Sequence, residues 1–165
     1  MKYTITALII SLSLSITCKA QQVCPNEIPD EWQNSRYTTD IIDGDNVVTD
    51  EKTGLMWKRC AQGLSGVDCS VGTAVRYNWA DALEVADLAV FASYDDWRLP
   101  NVKELNSIVA KNCHKPSINA SIFPNTSNVR YMCSTNRYIV NFDFGRINTE
   151  SPTLPFNVRL VRTVN

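Results

Sequence analysis

One histidine, His114, is all the imidazole that a chain of 165 residues carries. It follows Cys113 directly, and no Cys-x-x-Cys pair stands anywhere in the sequence. Zinc sites are built from closely spaced ligand pairs, so neither a metal centre nor a cofactor is expected. His114 lies in the polar, proline-containing stretch NCHKPSIN and reads as a loop residue rather than a catalytic base. A glycine-framed serine and a Cys-His constellation are also missing, which leaves no positioned nucleophile and no expectation of an enzyme. Repeats and low-complexity tracts are absent too, excluding solenoids and collagen-like arrays. Positive charge is scarce: beyond residue 20 there are 14 basic and 17 acidic side chains, a net charge of −3. Sequence-blind attraction to nucleic acid needs a basic field, so no nucleic-acid partner is expected.

Long apolar runs are confined to the start of the chain. MKYTITALIISLSLSITCKA has Lys2, an apolar stretch from Ile5 to Ile16 and small residues ending at Ala20, the order of a secretory leader. Residues 1–20 are therefore read as a signal peptide, 21–36 as an N-terminal extension and 37–165 as one domain. No later segment approaches the roughly 20 apolar residues that span a bilayer. Cys18 is the alternative processing point, as a lipid-accepting cysteine, but Thr17 before it fits that pattern poorly and cleavage after Ala20 is preferred. Either way the product is exported, to the periplasm, the cell surface or the medium.

Export makes disulfides the default reading of Cys24, Cys60, Cys69, Cys113 and Cys133. Cys60 and Cys69 bracket the short loop AQGLSGVD and are paired. Cys24 with Cys113 ties the extension to the domain by closing a long loop and leaves Cys133 free; Cys113 with Cys133 is the rival pairing.

Along the chain, Asp43-Gly44 and Thr53-Gly54 break RYTTDIIDGDNVVTDEKTGLMWKRC into two or three short strands. The acids of DGDNVVTDE lack the offsets of an EF-hand loop, so a turn is expected there. Asn78 caps a helix whose stripe is Trp79, Ala82, Leu83, Ala86 and Val90. Asn101-Val-Lys-Glu104 has capping-box spacing, and Val102, Leu105, Ile108 and Val109 continue a second helix to about Lys111. Before it, Asp95–Leu99 reads as a turn that sends Trp97 and Leu99 into the core and brings Arg98 beside Asp95, Asp96 or Glu104. Tyr138, Val140, Phe142 and Phe144 alternate with Asn141 and Asp143, as a hairpin strand with one buried face does. Phe156, Val158 and Leu160 lie on one side of a strand that closes the sheet, with Asn157 and Arg159 on the other.

TDEKTGLMWKRC, YNWADAL, DWRLPNVKEL, SINASIFPNT, NFDFGRI and VRLVR, in this order, resemble the Lcl C-terminal domain family, named for the C-terminal region of the Legionella collagen-like adhesin. DWRLPNVKEL is also similar to the WRLP-x-x-x-E element of formylglycine-generating enzymes and related C-type-lectin-like folds. The resemblance implies an α+β fold: a compact C-type-lectin-like domain, two main helices packed on a curled antiparallel sheet and stapled by disulfides. It also implies a non-catalytic binding module of a bacterial envelope, adhesin-like, with a glycan or extracellular surface as partner and a homo-oligomer left open. Trp97, Arg98, Arg130, Tyr131, Arg137 and Arg146 are then the candidate contact residues. Two other readings stand beside it, an enzyme of the formylglycine-generating type and an envelope assembly component acting through protein contacts. Calcium-dependent sugar binding is not implied, because the acidic-proline-asparagine triplets of such lectins are missing.

Overall fold

Eleven short strands and two helices make up the computed structural model, which describes residues 22–25 and 27–164. The leader and Cys18 lie outside the described residues. In chain order the elements are β1 (Tyr37–Ile42), β2 (Asp45–Asp50), β3 (Leu55–Lys58), β4 (Leu64–Ser65), β5 (Val71–Gly72), β6 (Arg76–Tyr77), α1 (Trp79–Asp87), α2 (Val102–Ser107), β7 (Arg130–Met132), β8 (Tyr138–Asn141), β9 (Arg146–Thr149), β10 (Phe156–Asn157) and β11 (Val161–Thr163). They form a four-stranded sheet in the order β1-β2-β3-β11, a five-stranded sheet in the order β6-β10-β7-β8-β9, and the small β4-β5 ribbon. Among the described residues no helix is long and apolar enough to cross a membrane.

The expected α+β architecture is overturned. The fold is 32% strand against 13% helix, with one helix longer than six residues, so two main helices on a sheet do not describe it. Nor is the larger sheet purely antiparallel, since β10 runs parallel to β7.

The second helix is the element that falls short, and its neighbours show why. Its capping box forms, with the Asn101 Oδ1 accepting from the Lys103 and Glu104 amides and Glu104 accepting from the Asn101 amide. At the other end the Ser107 carbonyl accepts from Trp32 Nε1 (2.9 Å) and from the Arg36 guanidinium (3.1 Å). These side chains of the extension satisfy a terminal carbonyl of α2, and a cation suits that end of a helix. Beyond it, the Ala110 amide donates to the Ser117 carbonyl rather than up the helix. Val109 and Ile118 stay buried without helix. The first helix keeps its Asn78 cap, whose Oδ1 accepts from the Asp81 amide, but Val90 lies beyond its end and is exposed.

Strands of both sheets are buried on both faces. Val48, Trp57, Val140 and Val161 join one apolar core, while their neighbours Val47, Met56, Ile139 and Leu160 join the other. The acid-rich stretch after β1 is a two-residue turn, with Asp43 and Gly44 both at positive φ (49° and 87°), matched to the twist of the β1-β2 hairpin. Disulfides join Cys24 to Cys113 and Cys60 to Cys69, and Cys133 is a buried free thiol.

Candidate functional site

The residues singled out as contacts divide sharply once folded. Trp97 is 2% exposed, its ring edge-on to Phe91 and its Nε1 donating to the Phe91 carbonyl at 2.8 Å. Tyr131 is wholly buried against Phe142. Burial takes both rings out of reach of a ligand, which corrects their place among the contact candidates.

Arg98 is bound into a structural joint. Both terminal nitrogens of its guanidinium donate to Glu104, each at 2.8 Å, in the planar fork that carboxylates accept. Its backbone exchanges hydrogen bonds with Val161 of β11 (2.9 and 3.0 Å). Beside it, Arg162 donates through Nε to Asp96 at 2.6 Å and lies over the Tyr94 ring. Burial works to raise the Glu104 carboxyl, but the hydrogen bonds from Arg98 and the Asn101 amide outweigh it and hold the group below its ordinary range. The hydrogen bond from Arg162 likewise lowers Asp96.

Arg137 and Arg146 are exposed at opposite ends of the β8-β9 hairpin. Arg137 occupies a turn at positive φ, and its carbonyl accepts from the Glu150 amide. Arg146 opens β9 with its guanidinium over the Phe144 ring.

Arg130 alone of the six lines an open groove of about 550 Å³ across β6, β10, β7 and β8. The strand register assembles it. Arg76 on β6 lies across from Asn157 on β10, β10 runs alongside β7, and Arg130 on β7 lies across from Asn141 on β8. Asn128, Asp143 and Phe156 complete the walls. Asp143 is held in place locally, its amide donating to Asn141 Oδ1 (2.9 Å) and its Oδ1 accepting from Asn128 (3.4 Å). Arg130 has one loose partner, Glu150 at 3.6 Å, and Arg76 has no ion pair among the described residues. Two guanidiniums, three side-chain amides and one carboxylate thus converge on a concave surface. That is a set of planar donors and acceptors able to engage a hydroxyl-rich ligand and to favour an acidic one.

Sequence reasoning missed Arg76, Asn128 and Asn157. Asn141 and Asp143 carried a signal, the polar side of the alternating NFDF stretch. Arg76 gave none, because it joins the others only through the pairing of β6 with β10.

The sequence model described as the Lcl C-terminal domain matches residues 46–162, well over half of the chain. No curated protein and no solved structure matches it.

Proposed function

This chain belongs to the Lcl C-terminal domain family, and from that premise we propose that it is an exported, non-catalytic recognition module of a bacterial surface that binds a glycan in the Arg76–Arg130 groove. The observation that carries the reading is the groove's polar equipment. Its guanidiniums and the Asn128 and Asn141 amides are exposed or half-exposed where four strands meet, Asn157 is buried beneath them, and the Arg76 side chain has no ion pair among the described residues. Export is supported by the two disulfides. A non-catalytic role is supported by the one free thiol among the described residues. Burial pushes Cys133 up to about 11, and its Sγ donates to the Tyr138 carbonyl at 2.9 Å, so it is held as an inert thiol rather than a nucleophile.

Titration calorimetry of the purified protein with neutral and acidic oligosaccharides tests this, run at low and high salt. Binding is expected to favour acidic sugars and to weaken as salt screens the guanidiniums. Arg76→Ala and Arg130→Ala should each lower affinity by roughly 10-fold, since a hydrogen bond to a charged group contributes about 1.5 kcal/mol or more. Sugar binding that neither substitution weakens would place the site elsewhere, and no binding to any sugar tested would remove the reading.

A further inference from the structure

The open edge of the five-stranded sheet is self-complementary, and we propose that β9 pairs antiparallel with β9 of a second copy about a two-fold axis at Asn148. β9 is the last strand of its sheet, and all four of its residues are exposed. Native edges are usually blunted by shortness, proline, bulges or charge, lysine above all. β9 is short and flanked by charge, but RINTE holds no proline and no lysine, and its two charges, Arg146 and Glu150, are opposite in sign, so a second copy can answer them rather than be repelled.

Hydrogen bonding fixes which groups face outward. The Phe142 amide donates to the Val129 carbonyl at 3.0 Å, so even-numbered residues of β8 bond towards β7 and Ile139 and Asn141 bond towards β9. Asn141 faces Arg146 and Ile139 faces Asn148, and the Glu150 amide continues the ladder by donating to the Arg137 carbonyl at 2.8 Å. Ile147 and Thr149 therefore turn their N–H and C=O groups to the free edge. In an antiparallel ladder, residues that exchange both bonds must lie opposite each other. Centring the two-fold on Asn148 sets Ile147 across from Thr149 of the second copy, which meets that requirement.

Charge selects this register. It sets Arg146 of each copy opposite Glu150 of the other, twice over, in the close-approaching non-hydrogen-bonded positions. Centring on Arg146 or Glu150 would set like charges face to face, and centring on Ile147 or Thr149 leaves both charges without opposite partners. On the other face, the exposed Ile147 (46%) and Tyr138 (41%) flank Thr149, so pairing covers apolar surface as well. The occupant is thus a second copy of this chain rather than an arbitrary strand, in the isologous arrangement that closes on itself. The paired sheet carries two grooves, and Glu150, already 3.6 Å from the groove's Arg130, lies between that residue and Arg146 of the second copy. Two grooves on one rigid sheet would raise avidity for a polymeric glycan without any new contact.

Three cysteine variants of the intact protein read the register directly. Asn148→Cys places two thiols across the two-fold at about 4.5 Å between Cα atoms, within reach of a disulfide. It should cross-link under mild oxidation at least about 10-fold faster than Ile147→Cys or Thr149→Cys, whose thiols do not face themselves. Sedimentation should show a wild-type dimer that Arg146→Glu weakens by roughly 10-fold or more and Lys103→Glu, exposed on α2 and away from the edge, does not. Equal cross-linking of the three variants overturns the register. A wild-type chain that stays monomeric to about 0.5 mM overturns the pairing. So does an added extended peptide that protects the Asn148→Cys thiol of a monomeric chain, since it assigns the edge to another occupant.

Discussion

The joint at Asp96–Glu104 and the groove between Arg76 and Arg130 use the same chemistry for opposite ends. Both combine arginines, acids and asparagines beside aromatic rings. At the joint the charged groups are answered from within the chain: Arg98 by Glu104, Asp96 by Arg162, and the α2 amides by Asn101. At the groove Arg76 is unanswered among the described residues and Arg130 is held loosely. Arg98, Asn101 and Glu104 are close in sequence and satisfy one another as the chain folds, and Arg162, 66 residues from Asp96, closes the last pair, so the joint's charges are spent on structure. Groups brought together from four separate strands meet only in the finished fold and keep hydrogen-bonding capacity for something else.

The sharpest way to break this contrast is to empty the joint. Trp97→Ala removes a buried indole that touches Phe91 and fills the core beside Leu99, and a truncation of that kind costs about 3–5 kcal/mol. Urea denaturation should show most of that loss. A variant that unfolds at the wild-type midpoint would mean that the ring is a surface group after all.

A smaller effect separates the joint's charges from its packing. Glu104 has its folded-state value depressed by Arg98 and the Asn101 amide, so its contribution to stability is complete above its unfolded value, near 4.5. That contribution disappears as pH falls through the lower folded value. Asp96 behaves in the same sense, with an ordinary value of 3.8. Thermal melts should therefore weaken below about pH 4.5. Glu104→Gln should cost about 1 kcal/mol at pH 7, modest because the Arg98 side chain is 42% exposed and solvent screens the pair. The variant should also flatten the acid limb of the profile. An unchanged acid limb would show that Arg98 and Glu104 are not coupled in solution.

What could be read in advance follows the range of each interaction. The Asn78 cap, the Asn101–Glu104 box and the Asp43-Gly44 turn are local, and all are present. Strands with two buried faces were not legible as alternation. Tyr138 and Phe144 were placed inward and are exposed, while Ile139, between Tyr138 and Val140, is buried. Asn157 and Arg159, on the polar side of the closing run, are buried like the apolar residues beside them. Arg159 is tolerated there with no carboxylate in contact among the described residues because its guanidinium donates to the Lys58 and Arg59 carbonyls and to Thr126 Oγ1, and lies over the Phe123 ring. Those partners are 33 to 101 residues away in sequence, beyond any periodicity. The groove shares that property, which is why Arg130 is the one residue of its walls among the contact candidates of the sequence.

The smallest effect on stability should come from the groove itself. Arg76→Ala combined with Arg130→Ala deletes two exposed guanidiniums, one without an ion pair among the described residues and one in a 3.6 Å contact whose Arg130 side chain is 51% exposed. Surface changes of this kind usually stay within about 0.5 kcal/mol. The melting midpoint of the double variant should accordingly match wild type at pH 7 while sugar affinity falls. If the variant instead melted well below wild type, the two arginines would be holding β6, β10 and β7 together. The groove would then be a second joint, and the contrast between spent and unspent charge would collapse at the place where the function is assigned.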